Sequence, residues 1–418
     1  MATDEAPGER SGAAPAVLAA AAVSGIAGYV VLVLVARYLT PAQNAEFLVF
    51  WGALFGVFGV LIGIATETTR AVHASSRTRP TTGARVLPEV VLLAGAAGVV
   101  LGASGLVWAP ALLGTEWPEL LAALVVGTVL FASHCFVTGT AAGRGHWSTY
   151  ALLVGAESVS RLVLVVAAAL AGALVGGLAW AVSLACGAWL LVSLLPAGRV
   201  PGALAVAGDV SRAGLRRRLV AACTASGASA LLLVGFPVLL RLTTSDHVFA
   251  GAAPVILAVS LSRAPLLVPL NAYQNVLVTK VASHGIGATR TPAALLVGAT
   301  VVGAVAAVPV GPAVLRVINP EYDVAGPVFG LLVLAAGLVG SLTLTGAASI
   351  ALDHHTVYVV GYVVATSVST LLLLLPLSLD ARVVVALLVG PVAGIGIHLA
   401  FGAHRSVATR RRITEGTP

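Results

Sequence analysis

Val259-Ser-Leu-Ser-Arg263-Ala-Pro265-Leu-Leu-Val-Pro269-Leu-Asn271-Ala-Tyr-Gln274-Asn275 lies inside an apolar run, Phe249 to Val281, that is long enough to cross a bilayer and carries a charge in its middle. With Phe249 at one membrane face, fourteen residues at about 1.5 Å each put Arg263 roughly 20 Å deep, close to the midplane. A charge there costs several kcal/mol unless it meets a wet cavity or a partner, so Arg263 is a functional candidate by default. Pro265 and Pro269 each lack an N–H and free a carbonyl one turn earlier. Two roles follow for Arg263: a cavity cation, which the cost of burial favours, or a structural Arg bonded to those carbonyls.

The rest of the chain has the same character. Of 418 residues 59% are hydrophobic and 9% charged, where a soluble domain carries about a quarter charged. Twelve apolar runs of about 20 residues succeed one another, continuous and rich in Ala, Leu, Val and Gly. They lack the alternation of a transmembrane barrel. The chain reads as an all-α polytopic membrane protein with about 12 transmembrane helices. Its net charge of +7 reflects where Arg sits relative to the bilayer, not a nucleic-acid partner. Cys135, Cys186 and Cys223 all fall in apolar runs, which speaks against a disulfide framework or a metal site. The first run, Ala13 to Ala36, is too long for a signal-peptide core and is expected to be a retained helix.

The spans are expected at about 13–38, 46–66, 87–113, 119–141, 148–171, 174–195, 219–242, 249–281, 293–317, 326–352, 357–377 and 382–401. They group as a disordered cytoplasmic N-terminus (1–12), a first six-helix bundle (13–195), a basic cytoplasmic linker (196–218), a second six-helix bundle (219–403) and a basic cytoplasmic tail (404–418). In that layout 17 of the 23 basic residues fall on the side of the termini, 4 on the other, and Arg161 and Arg263 within the membrane. The termini are therefore expected to be cytoplasmic. Glycines at helical spacing, Gly52, Gly56, Gly59 and Gly63 in the second helix and Gly95, Gly98, Gly102 and Gly105 in the third, read as close helix contacts. Ser24-Gly25 leading to Arg37 and Ser226-Gly227 leading to Arg241 echo one another across the halves, as in transporters built from two six-helix repeats.

Familiar catalytic motifs are missing. There is no P-loop, no His-Glu-x-x-His and no paired-Cys metal spacing. The adjacent His354 and His355 splay apart on a helix instead of converging on an ion. What remains is a set of charges at membrane depth. Glu157 and Arg161 lie four apart on one helix face, and Glu67 and Arg70 lie within one turn, so each Arg has a local acid. Arg263 has none nearby in sequence. A cation in a central cavity suits an anionic ligand, and the guanidinium fork suits phosphate in particular. Asn271, Gln274 and Asn275 could present amides to hydroxyl-rich groups or mark where the helix leaves the membrane, ahead of Lys280, the only Lys and a further candidate at the substrate.

Together, Arg37-Tyr-Leu-Thr-Pro41, Glu67-Thr-Thr-Arg70, Ala142-Gly-Arg144, Glu157 with Arg161, and Arg263-Ala-Pro265-Leu resemble the polysaccharide-export branch of the MOP flippase superfamily, which includes the O-antigen-unit flippases and relatives of the MATE exporters. The resemblance spans the first eight helices. It implies a V-shaped pair of six-helix bundles in the bacterial cytoplasmic membrane, flipping a polyprenyl-diphosphate-linked oligosaccharide by alternating access for cell-surface polysaccharide synthesis. It further implies Arg263 as the cavity cation, with Arg161 and Arg70 lining the path and Glu67 and Glu157 as charge partners or as carriers of proton or sodium coupling; Asn271, Gln274 and Lys280 join them at the substrate on the reading of the residues above. No cofactor or metal is expected. The implied partners are the lipid-linked glycan, membrane lipids and glycan-assembly membrane proteins. Two alternatives stand beside it. A MATE-like exporter of drugs or small solutes would be expected to carry acids in helix 1 or 7, and a glycan polymerase or ligase would be expected to carry a large outer loop; the sequence has neither.

Overall fold

A computed structural model describes residues 7–78, 83–195, 202 and 204–415, with the side chains of 7–14, 77–78, 271–276, 278–279, 282 and 402–415 outside the description. The apolar spans of the described chain are helical, because in lipid each backbone N–H and C=O must find its partner within its own segment. In order the helices are α1 (Pro7–Tyr38), α2 (Pro41–Thr78), α3 (Val86–Leu113), α4 (Trp117–Gly143), α5 (Trp147–Leu170), α6 (Val175–Ala185), α7 (Ala188–Ser193), α8 (Arg212–Leu233), α9 (Phe236–Leu242), α10 (Asp246–Phe249), α11 (Ala253–His284), α12 (Arg290–Ile318), α13 (Gly326–Ala351), α14 (His355–Leu372) and α15 (Leu379–Glu415). Eleven of the described spans are long and apolar enough to cross a membrane, α6 and α7 forming one of them, and the count is twelve if the bent pair α8–α9 is one span. The chain is a multi-pass membrane protein.

The turn from α1 to α2 shows the local logic. Thr40 precedes Pro41 at the first helical position, and Gln43 follows three residues after Thr40. The Gln43 amide donates to Thr40 Oγ1 (3.4 Å) while Gln43 Oε1 accepts from the Thr40 amide (3.2 Å), a reciprocal capping box.

The chain divides into two compact units, Met1–Ala230 and Leu231–Pro418. In the first, α2 packs along α4, α1 along α5, and α3 along α4, with α6 against both α4 and α5. Three of the four α3 glycines behave as their spacing predicts: Gly98, Gly102 and Gly105 face Val129, Val125 and Leu121 of α4, while Gly95 faces open space. On α2 the stripe has a different partner. Gly59 and Gly63 press against Ala230 and the Ala222–Cys223 peptide of α8, while Gly56 faces open space. Leu215, Leu219 and Cys223 of α8 are accordingly buried in the same apolar core as Leu61, Ile64 and Phe136. The first nineteen residues of α8, which the sequence reading divides between the linker and the second bundle, therefore belong to the first unit. In the second unit α13 is the central helix, flanked by α11, α12 and α15, with α14 along α15.

Several helices overrun their sequence expectation: α1 begins at Pro7, so residues 7–12 are helical and not disordered, α2 covers Pro41–Thr78 and α15 reaches Glu415. Two further spans differ where they bear on Arg263. The seventh, read as one helix over 219–242, is two helices bent by 67°. Gly235 sits at the break and Pro237 at the start of α9. A continuous helix would need the residue-237 amide to donate to the Leu233 carbonyl, and proline has no N–H to give. The eighth span begins at Ala253, after the single turn of α10, not at Phe249. Arg263 is thus about 15 Å along its helix instead of 20 Å.

Candidate functional site

Three constellations collect the charges singled out in the sequence. The deepest in the first unit is built on α5. Glu157 and Arg161, both 4% exposed, form the i,i+4 ion pair their spacing predicts. The Arg161 guanidinium lies over the ring of Phe55 at 4.9 Å and that of Trp51 at 6.0 Å. These two rings, four apart on α2, stack on one another, so the cation is held between a carboxylate and an aromatic wall. Ser158 Oγ stands 3.3 Å from the other Glu157 oxygen and 2.7 Å from Ser24 Oγ of α1. The Cys186 thiol points at Glu157 Oε1 from 3.8 Å. A carboxylate removed from water needs such company.

The second constellation closes the end of α2. Arg70 makes two bidentate pairs, with Glu67 (2.6 and 2.8 Å) and with Asp209 (2.9 and 3.0 Å). Arg218 stands 3.5 Å from Asp209. The Arg70 guanidinium, bonded to the Asp209 carboxylate, holds that acid below the ordinary carboxylate range. Asp209 lies on a segment that pairs with residues 84–86: the Ala84 amide donates to the Val210 carbonyl (3.0 Å), Val86 to Val206 (3.0 Å), and Gly208 to Ala84 (2.8 Å). Arg216 then bonds the buried carboxylate of Glu89 at 3.0 Å. The link ahead of α8 is therefore clamped to the ends of α2 and α3 by charge and by backbone.

The third constellation surrounds Arg263, which is 7% exposed. Its Nη1 donates to the Leu233 carbonyl at 2.7 Å and to the Leu232 carbonyl at 3.4 Å. Its guanidinium carbon lies 5.8 Å from the Phe236 ring centroid. These carbonyls end α8, where the helix dipole concentrates negative charge. Arg263 does bind proline-freed backbone, but the proline is Pro237, in a different helix from the Pro265 and Pro269 to which the sequence points.

Lys280 is exposed near the end of α11, and the side chains of Asn271 and Gln274 lie outside the described residues. Within the first unit the Glu157–Arg161 and Glu67–Arg70 pairs stay in separate networks. Sequence reading missed Asp209, Glu89, Ser24 and Cys186. A signal for Asp209 exists: it is the one acid between Glu157 and Asp246, set in an Arg-rich stretch. Among the described residues no cluster of His, Cys, Asp and Glu could hold a metal ion.

No family model matches the chain. The uncharacterized proteins Rv1510 and Rv3630 of Mycobacterium tuberculosis are 39% and 40% identical to it over 394 and 405 residues, 93% of this chain in each case and 90% and 91% of theirs. Among solved structures, an inward-facing multidrug resistance MATE family transporter of the MOP superfamily superposes with a TM-score of 0.68 at 14% identity, over 93% of this chain and 96% of that one. A MOP superfamily transporter from Pyrococcus furiosus, described as having a binding pocket of reverse polarity that suggests a different function, gives 0.66 at 15% identity, over 95% and 96%. At these identities what is shared is the fold, and it is the MATE-type fold expected from the sequence.

Proposed function

We propose that this chain, which belongs to the family of the Mycobacterium tuberculosis proteins Rv1510 and Rv3630 and has the fold of the MOP superfamily transporters, is a transporter that flips a polyprenyl-diphosphate-linked oligosaccharide across the bacterial cytoplasmic membrane. Its termini are cytoplasmic in this reading, and its role is transport without chemical turnover. One observation supports the choice of substrate: Arg263 is held by the Leu232 and Leu233 carbonyls and faces Phe236, and the parts of α8, α9 and α11 around it contain no Asp or Glu. Arg216 and Arg218, at the other end of α8, are paired with Glu89 and Asp209. A buried guanidinium favours an anion, and a drug-cation antiporter has no use for it. Phosphate groups suit guanidinium donors, a glycan needs a polar path, and the lipid tail can stay in the bilayer while the head group crosses. Arg263 is the substrate-facing cation in this reading, and Arg161 and Arg70, each paired with an acid, line or brace the first bundle. Asn271, Gln274 and Lys280 contact the head group, and Glu157 and Glu67 set the local charge. Coupling to protons or sodium would fall to these two acids, each of which already holds an Arg.

The test is the lipid-linked glycan pool in cells depleted of the protein and complemented with wild type, Arg263→Ala or Arg263→Lys, with membrane abundance measured in parallel. The expected result is a trapped cytoplasmic-leaflet pool that wild type clears and Arg263→Ala, at equal abundance, does not. An unchanged pool on depletion would sink the reading and move the drug or solute exporter to the front.

A further inference from the structure

The second unit holds a buried titratable group that the proposed function does not use. His398 of α15 is 4% exposed and sits near the end of the last apolar span, which closes at Phe401. Two other helices meet it there. Its Nδ1 stands 2.9 Å from Thr345 Oγ1 of α13, and its Nε2 stands 3.3 Å from the Tyr358 carbonyl of α14. The imidazole packs edge-on against the Tyr362 ring at 6.1 Å. Gly361 of α14 makes the room, since a Cβ there would overlap the imidazole. A Cβ on Gly394, one turn before His398, would likewise overlap the Gly361 carbonyl, so α14 and α15 approach closely beneath the ring.

The hydrogen bonds of this niche can be drawn in two ways. The Tyr358 carbonyl only accepts, so Nε2 carries a hydrogen in both. Thr345 has one hydroxyl hydrogen and three acceptors for it: the Ser341 and Leu342 carbonyls, each at 3.1 Å, and Nδ1. With the imidazole neutral, the hydroxyl donates to Nδ1. With the imidazole protonated, Nδ1 donates to Thr345 Oγ1 and the hydroxyl turns back to a carbonyl. Rotation of one hydroxyl therefore receives the proton without moving a heavy atom. The bonds from α15 to α13 and to α14 both become charge-assisted, roughly twice as strong as neutral ones. A histidine kept neutral for packing alone needs only the first arrangement.

The elements packed against the ring bring little competing charge. α13 has no ionisable side chain, and α14 brings the Tyr358 and Tyr362 rings. The turn between them carries Asp353, His354 and His355, of which Asp353 and His355 are exposed and stand 3.2 Å apart. On α15, Asp380 and Arg382 lie at the opposite end of the span. Among the described residues no carboxylate bonds to His398, so its charge is balanced by backbone carbonyls and a hydroxyl.

We propose that His398 is a pH sensor: on taking up a proton it ties the adjoining parts of α13, α14 and α15 more tightly, and on releasing it loosens them. With the termini cytoplasmic, as in the reading above, the proton comes from the cytoplasm. The sensor itself does not depend on which substrate is transported.

The test is amide hydrogen exchange, read by mass spectrometry on the full-length protein in nanodiscs from about pH 8 to about pH 5 and corrected for the intrinsic exchange rate. Protection over 342–351, 355–363 and 392–401 is expected to rise at least about threefold on acidification in wild type. Thr345→Ser, which keeps the hydroxyl, and His354→Gln, which removes the neighbouring imidazole, should retain that step. His398→Gln should lose it, and so should Thr345→Val, which takes away the acceptor of the added proton. A step that persists in His398→Gln belongs to another group and overturns the proposal, as does protection in wild type that does not change with pH. Should His398→Gln fail to fold, the two Thr345 variants decide alone, and equal steps in both would refute the sensor.

Discussion

Arg263 donates to the carbonyl of Leu233 at 2.7 Å, the oxygen that Pro237, four residues on, leaves without its helical donor. The bend between α8 and α9 and the buried cation in α11 are thus halves of one arrangement. A broken helix in a membrane needs a donor for its last carbonyls, and an Arg at membrane depth needs an acceptor. Each resolves the other's cost, and the cation is fixed beside Phe236.

Removing the donor leaves those carbonyls buried without it. Arg263→Ala is expected to cost about 3 kcal/mol of stability, from the loss of charge-assisted bonds and the exposure of unsatisfied oxygens. Pro237→Ala restores an N–H for Leu233, so the double variant should recover at least about 1 kcal/mol of that loss. Thermal unfolding of the four proteins in one detergent measures the coupling, and strictly additive effects would refute the link.

Glu157 and Arg161 behave as a buried pair. Glu157→Gln strands a cation against Trp51 and Phe55 and should cost about 3–5 kcal/mol, while Glu157→Gln/Arg161→Met removes the charge with the acid and should be nearer wild type. A single variant as stable as wild type would show that the pair is dispensable.

The clamp at the end of α2 depends on pH with a definite sign. Because Arg70 holds the folded-state Asp209 carboxyl below its ordinary value, the unfolded chain binds this proton first as pH falls. The clamp's contribution is complete above the ordinary carboxylate range and is lost as pH drops through the lowered folded value. Asp209→Asn should remove that acid limb and speed exchange of the Ala84, Val86 and Gly208 amides at neutral pH. Hydrogen exchange read by mass spectrometry over 83–86 and 204–211 tests it; unchanged protection in the variant would show that backbone pairing alone holds the link.

Glycines on one helix face are not equivalent. A Cβ at Gly63 overlaps the Ala222–Cys223 peptide, and one at Gly56 meets nothing within 4 Å. Gly63→Ala should therefore force α2 and α8 apart at a cost of about 1–3 kcal/mol, and Gly56→Ala should be neutral or slightly stabilising. Unfolding temperatures of the two variants decide it, and equal values would contradict the contact.

Much of this is legible in the sequence for identifiable reasons. The spans follow from continuous apolar length, and the Glu157–Arg161 and Glu67–Arg70 pairs from i,i+4 and i,i+3 spacing, all of which are local properties; the start of α2 at Pro41, five residues ahead of the expected 46, does not follow from apolar length. The α3 glycines also face a sequence neighbour, α4. The α2 glycines face α8, more than 150 residues away, and Asp209 reaches Arg70 across 139 positions, so spacing on one helix could not name either partner.

By itself, then, the sequence determined that this is a polytopic helical membrane protein with basic residues at membrane depth and local acids for two of them, and its family resemblance implied the MATE-type fold. Tertiary structure alone decided what holds Arg263, where the seventh span breaks, that the first part of α8 packs into the first unit, and that α13 and α14 close around His398. The physical reason is range. Helix formation and membrane insertion respond to residues within a turn or a run. The acceptor of a buried cation, the partner of a small-residue face and the niche around a buried imidazole depend on residues that only folding brings together.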